Sequence, residues 1–327
     1  MFKALVLDQK DGKTISEIKQ LDEDSLPPGE VIVEVSHSSL NYKDGLAVTG
    51  KGKIVSHYPM VPGIDLAGTV RESSVPEYRP GDPVIVTGWG VGERHWGGFA
   101  ELARVQAGWL VPMPEGMDAV QAMVIGTAGL TAMLCVMALE DGHVTPDKGT
   151  VIVTGASGGV GSVAVALLAR LGYRVAAVTG RATSGDYLQQ LGASEILSRE
   201  EMSVKPRPLE KQRWAGSVDT VGGVILARVL AETQFDGTVA ACGLAASVDL
   251  PTTVMPFILR NVRLQGVESV QCPFERRKIA WRRLQQELPE SVLGEMESLI
   301  SLEQVPEYAE KITLGQVRGR TVIDLKR

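Results

Sequence analysis

The chain has little of what a metal centre or a disulfide framework needs. Its three cysteines, Cys135, Cys242 and Cys272, lie far apart with no C-x-x-C spacing. That excludes a zinc ribbon and suits a reducing compartment. The four histidines, His37, His57, His95 and His143, share no spacing that would ligate a metal. An excess of positive charge is also missing: the net charge is −6, which argues against nucleic acid as the main partner. The first eight residues form a strand-like run, not the charged-then-apolar leader of a secretory signal. Long apolar runs are scarce. One stretch, residues 122–139, carries no charge and touches the lower limit for a membrane span. It contains Gly126, Thr127, Gly129 and Thr131, and Glu140 and Asp141 follow at once, so it reads as a buried helix and no membrane partner is expected.

At 327 residues the chain is too long for one small domain and suggests two. The first 120 or so residues are β-rich. Strands are expected at 2–7, 31–36, 67–71, 83–87 and 99–105, separated by Pro27-Pro28-Gly29, Pro62-Gly63, Pro80-Gly81 and Gly97-Gly98. Short strands with such punctuation predict a compact β-barrel-like unit. From about Gly126 the pattern alternates. Strands at 151–154, 174–179, 195–197, 217–221, 238–242 and 263–267 are interleaved with helices such as 186–191 and 224–232. Six strands with crossover helices predict a doubly wound parallel sheet. The tail adds an amphipathic helix at 275–288 and a strand at 321–325 that returns to the first domain. The expected division is 1–125, 126–270 and 271–327.

Residues 151–162 read as a buried strand, a glycine-rich turn and the start of a helix, with Gly155, Gly158 and Gly161 three apart. Glycines at this spacing let backbone amides approach a pyrophosphate at the positive end of a helix. It is a variant of the dinucleotide-binding fingerprint. The expected cradle is Ser157, Gly158, Gly159, Val160 and Gly161, with residues 163–171 as the helix and Gly172 as its stop. The second strand ends in Thr179-Gly180-Arg181, without the acid that would accept from an adenosine ribose and repel a 2′-phosphate. A hydroxyl, a glycine and a guanidinium suit a phosphate instead, and Arg199 adds a second cation. NADPH is therefore expected over NADH; the bland alternative is that Arg181 is a solvated surface side chain.

A β-rich first domain followed by G-A-S-G-G-V-G on a doubly wound sheet resembles the medium-chain dehydrogenase/reductase superfamily. Ser39-Leu-Asn-Tyr-Lys-Asp44, Pro62-Gly-Ile-Asp-Leu-Ala-Gly68 and Gly126-Thr-Ala-Gly-Leu-Thr-Ala132 are similar to its zinc-free quinone-oxidoreductase branch. Gly88-Trp-Gly-Val-Gly92, His95-Trp-Gly-Gly98 and residues 250–266 resemble the bacterial acrylyl-CoA reductases. The resemblance implies a GroES-like catalytic domain beside a Rossmann domain. It also implies NADPH-dependent reduction of acrylyl-CoA to propanoyl-CoA in a cytoplasmic homodimer. Zinc-dependent relatives carry a Cys ligand where this chain has Asn41 and a His ligand where it has Ile64, so no metal is expected.

Without a Lewis acid, a conjugated C=C beside a thioester is a more suitable substrate than an alcohol or ketone: hydride adds to the β-carbon and charge flows to the thioester oxygen. Tyr42 lies in the motif that replaces the zinc loop, and the resemblance makes it a cofactor contact; a role as hydrogen-bond donor in catalysis and a role as a packed tyrosine both stand. Lys43 and Asp44 either pair with each other or cap a helix. Leu244 and Ser269 follow expected strands, at the carboxyl ends where ligands bind. Ile258 enters by resemblance alone, against a core isoleucine. Thr127 and Thr131 are read either as ligand contacts or as helix hydroxyls bonded to backbone. The run Glu275-Arg-Arg-Lys-Ile-Ala-Trp-Arg-Arg283 meets the phosphates of CoA on one reading and is a solvated helix face on the other. Trp89 and Trp96 cover a substrate or simply pack. The competing functions are a quinone or enone reductase and a non-catalytic NADPH-binding protein.

Overall fold

The computed structural model describes all 327 residues. The chain forms two compact units. One comprises residues 1–127, 270–285 and 293–327, the other 128–269 and 286–292.

The first unit opens with strands β1 (Phe2–Lys10) and β2 (Lys13–Leu21). They are joined by Asp11 and Gly12, both at positive φ, the two-residue turn that matches strand twist. The sequence reading missed β2. Strand β3 (Val31–Leu40) leads into helix α1 (Tyr42–Thr49), then β4 (Asp65–Ser73), β5 (Pro83–Thr87), β6 (Leu102–Val105) and β7 (Val111–Pro112). Helix α2 (Ala119–Asp141) carries the chain into the second unit.

The second unit runs β8 (Thr150–Val153), α3 (Gly159–Arg170), β9 (Arg174–Thr179), α4 (Gly185–Gln190), β10 (Glu195–Ser198) and α5 (Arg199–Met202). It continues with β11 (Trp214–Asp219), α6 (Gly223–Glu232), β12 (Thr233–Ala241), α7 (Met255–Arg260) and β13 (Arg263–Gly266). The remaining elements are α8 (Phe274–Glu287), α9 (Glu290–Met296), β14 (Glu297–Ser301), α10 (Val305–Thr313) and β15 (Arg320–Asp324).

All six expected strands of the second unit are present and pair in parallel in the order β10-β9-β8-β11-β12-β13. The order reverses beside β8, the arrangement that opens a ligand crevice at the carboxyl ends of the strands. The runs of the central strands β8 and β9 are apolar because they are buried on both faces. Ile152, Val178, Trp214, Val229, Leu230 and Val239 form part of the core. In the first unit a seven-stranded sheet runs β14-β15-β3-β4-β5-β7, with β6 also on β3. Strand β15 pairs antiparallel with β3, so the expected return to the first domain is what the chain does. Leu5, Leu7, Val33, Leu66, Val86 and Phe99 fill this core.

Helix α2 is long and apolar enough to cross a membrane by length and composition, but its side chains are packed inside the protein. Met123, Ile125, Leu130, Met133, Cys135 and Leu139 are all fully buried. The helix breaks at Gly126, whose φ of 49° and ψ of −156° are not helical.

Candidate functional site

In the second unit, β8 ends in a turn that only glycine can make. Gly155 has φ 60°. A Cβ at Gly161 would sit 2.3 Å from the Gly155 carbonyl oxygen and 2.6 Å from the Ala156 Cα. The turn is pinned by Ala156 N–H donating to Val178 O and Gly158 N–H to Gly155 O, both at 3.0 Å. Helix α3 starts at Gly159, four residues earlier than the sequence reading, so the glycines themselves form its first turn. The amides of this first turn have no partner within the helix, the arrangement that accepts an anion. Thr154 Oγ1 donates to the buried Asp219 at 2.6 Å, tying the turn to the end of β11. Burial pushes the Asp219 carboxyl up, while the Thr154 hydroxyl and the Gly222 N–H pull it down.

The tip of β9 lies against this turn. Ser157 Oγ and Thr179 Oγ1 are 3.0 Å apart, Arg181 N–H donates to Thr179 Oγ1 at 3.1 Å, and Arg181 Nη2 donates to Ser157 O at 3.2 Å. Arg199 is the first residue of α5, with Ser198 as its cap. Its guanidinium lies over Gly180, where a Cβ would come within 2.7 Å of Cζ. Ser157, Thr179, Gly180, Arg181 and Arg199 are therefore brought together, and the residues fit a dinucleotide carrying an extra phosphate.

Leu244 and Ile258 are 63% and 71% exposed. The core-isoleucine reading of Ile258 is thus corrected: it stands on the outside of a one-and-a-half-turn helix. Ser269 is buried and accepts a hydrogen bond from Thr131 Oγ1 at 2.8 Å.

In the first unit, Tyr42 is the first residue of α1. Asn41 is the N-cap, Asp44 completes a capping box, and Gly50 closes the helix at φ 67°. Asp44 therefore caps, whereas Lys43 pairs with Glu93 at 3.0 Å and not with Asp44. Tyr42 is 44% exposed. Beneath it lies a buried polar cluster that the sequence reading did not single out. Asp65 accepts from Ser39 Oγ at 2.6 Å, Asn41 Nδ2 at 2.8 Å, Thr127 N–H at 2.9 Å and the Thr127 hydroxyl. Arg320 donates to Asn41 Oδ1, Ser39 Oγ and Val124 O. Asp65 and Arg320 are both buried. The Asp65 signal was present as an acid inside an apolar run; Arg320 had none. Asp44 is buried too, and accepts from the N–H groups of Asn41 and Ile64, both at 2.9 Å. Burial pushes its carboxyl up to about 7 against the pull of the Asn41 N–H, and Asp65 adds to the rise.

The donor set does not fit zinc. Asn41 spends its amide on Asp65 and Arg320, Ile64 is an alkyl side chain, and no three His, Cys, Asp or Glu side chains are grouped to hold a metal. The basic helix also differs from both readings at one position. Arg277 is fully buried and donates to Thr87 O at 2.7 Å and Val270 O at 3.2 Å, with Trp89 beneath it at 4.8 Å. Trp89 and Trp96 pack against the core of this unit.

A GroES-like sheet unit with a dinucleotide turn on a second, doubly wound unit defines a dehydrogenase/reductase. Two family models match, "Alcohol dehydrogenase GroES-like domain" over residues 27–115 and "Zinc-binding dehydrogenase" over 159–286. The chain belongs to the medium-chain dehydrogenase/reductase superfamily, among its quinone-oxidoreductase-like members. It is 60% identical to the probable acrylyl-CoA reductase AcuI of Escherichia coli (strain K12), covering 98% of this chain and 99% of that one. It is 54% identical to the acrylyl-CoA reductase AcuI of Ruegeria pomeroyi, covering 99% of both. The yhdH oxidoreductase of Salmonella enterica, solved in complex with NADP, superposes with a TM-score of 0.98 at 58% identity, covering 99% of each chain.

Proposed function

We propose that this protein is an NADPH-dependent acrylyl-CoA reductase, adding hydride to the β-carbon of the conjugated thioester to give propanoyl-CoA. The observation that carries the reading is the 60% identity, over nearly the whole of both chains, to a protein named for that activity. The second unit supports the cofactor half. NADPH, when bound, supplies the hydride. Ser157, Gly158, Gly159, Val160 and Gly161 hold its pyrophosphate, and Thr179, Gly180, Arg181 and Arg199 hold the 2′-phosphate. Tyr42, Leu244, Ile258 and Ser269 contact the rest. Tyr42 suits this role because its phenol is exposed and makes no hydrogen bond within the protein. The chain's own task in the chemistry is to orient the alkene and to stabilise charge on the thioester oxygen with hydrogen-bond donors.

The partner side of the reading is a short acyl-CoA, with no nucleic acid or membrane surface, in a cytoplasmic homodimer. The free edge strand β13 supports self-association. The deciding experiment follows NADPH consumption across C3 to C6 enoyl-CoA substrates and a quinone side by side. The highest kcat/KM is expected for acrylyl-CoA. A quinone turned over faster than any enoyl-CoA would overturn the reading in favour of a quinone reductase.

A further inference from the structure

Two of the three cysteines meet inside the second unit, although 107 positions of sequence separate them. The second half of α2 lies along the sheet of this unit. At one end a Cβ at Gly142 would lie 2.1 Å from Thr238 Oγ1, and Leu139 packs at 3.1 Å from the Cβ position of Gly216. At the other end Thr131 Oγ1 reaches Ser269 Oγ at 2.8 Å. About 10 Å of helix from residue 142 to 135 runs beside about 13 Å of strand from 238 to 242. These contacts bring Cys135 near Cys242, and the Cys242 side chain is the first of the causes that raise the Cys135 thiol. Cys135 is buried, Cys242 is partly open, and Cys242 Sγ also lies 3.4 Å from the Asp219 carbonyl oxygen.

We propose that this pair is a modification site, in which a hydroperoxide oxidises Cys242 and Cys135 closes a disulfide that ties α2 to the loop after β12. In the first step the Cys242 sulfur gives two electrons to the peroxide. The O–O bond breaks, an S–O bond forms, and Cys242 sulfenic acid and an alcohol (or water) result. In the second step the Cys135 sulfur attacks, the S–S bond forms, and the S–O bond breaks, with hydroxide leaving as water together with the Cys135 proton. The second step is intramolecular, which favours it over attack by thiols from solution. The Cys242 side chain, then burial and the nearby Asp219, hold the Cys135 thiol well above its ordinary value.

The bond would act on a tightly laced loop. A Cβ at Gly243 would sit 2.2 Å from Thr220 O, Ala246 N–H donates to Val221 O at 2.8 Å, and Gly222 bridges to Ser247. A pull on Cys242 therefore reaches Gly222 and Gly223 at the carboxyl end of β11, where open α/β sheets take their ligands. This consequence rests on the cofactor assignment above; the bond itself does not.

The test treats the full chain with hydrogen peroxide and counts free thiols after denaturation. They should fall from three to one, with the Cys135 and Cys242 peptides joined and dithiothreitol restoring all three. The KM for NADPH should rise by roughly tenfold or more, as expected of a displaced binding loop, and recover on reduction. Cys242→Ser should keep the reduced activity and lose both peroxide effects, whereas Cys272→Ser should keep both. Three thiols surviving peroxide, a cross-link through Cys272, or a Cys242→Ser protein that remains equally sensitive would overturn the site. Because thiols are counted without any turnover, that failure is separable from a wrong substrate or cofactor. A closed bond with an unchanged NADPH KM would overturn the coupling to the loop.

Discussion

Arg181 is held at both ends, its backbone N–H on Thr179 Oγ1 and its Nη2 on Ser157 O, so the guanidinium is fixed beside the glycine turn and not free to sweep through solvent. A fixed cation loses less entropy on meeting a phosphate. Arg181→Ala should raise the KM for NADPH by roughly tenfold or more, the scale of a lost charge-assisted hydrogen bond, and leave the KM for NADH nearly unchanged. Steady-state kinetics with both cofactors checks this; equal effects would return Arg181 to the surface. Asp44 gives a pH-dependent outcome. Its folded carboxyl titrates at about 7, above its ordinary value of 3.8, so the folded state binds the extra proton. The stability it contributes is complete below about pH 4 and is lost as pH rises to about 7. His37 and His95, lowered by burial, act in the opposite sense but are common to both proteins. The stability of Asp44→Asn relative to the parent, followed by melting temperature, should therefore climb between pH 4 and 7, by at most about 1.4 kcal/mol per pH unit. A flat difference would mean that Asp44 stays ionised.

Among the elements, α2 depends most on one residue. At Gly126 the backbone leaves the helix, and Thr127 restarts it with its N–H on Asp65. A Cβ there would meet Asp65 Oδ2 at 2.6 Å and Arg320 Nη2 at 2.7 Å. Gly126→Ala should cost at least about 1–3 kcal/mol from backbone strain alone, lowering the melting temperature by several degrees in calorimetry. The elements also show what the sequence made legible. The central parallel strands β8, β9 and β12 are legible because each carries an apolar run next to turn residues. Strand β12 was read five residues short, since Phe235-Asp236-Gly237 looks like a turn and Asp236 does sit at φ 61°. Strand β2 is polar and half exposed, so only Asp11-Gly12 announced it. Helix α1 contains glycine and β-branched residues and is set by its caps more than by propensity. The glycine turn of the candidate site was legible for the same local reason. The Asp65–Arg320 cluster was not, because its members come from β3, β4, α2 and β15 and meet only after the sheet has formed.

For the whole molecule, the proposed homodimer places its prediction on β13. Val267 N–H donates inward to Ala241 O, so by alternation the N–H groups of Leu264 and Gly266 face the open edge. Light scattering should give the mass of two 35.0 kDa chains for the parent. Gly266→Pro, which deletes one edge donor, should shift the mass toward a single chain. A parent protein that runs as a monomer would remove the assembly. The unit built around β3 has a different consequence, one of timing. Its sheet requires β14 and β15, yet residues 128–269 intervene and fold on their own core. On the ribosome, which emits the chain from its amino end, the inserted unit can close early, while the surrounding one waits with residues 37–40 of β3 unpaired on one side until Arg320–Asp324 emerges. A nascent chain stalled before that strand would carry a finished nucleotide module flanked by an unfinished and aggregation-prone partner.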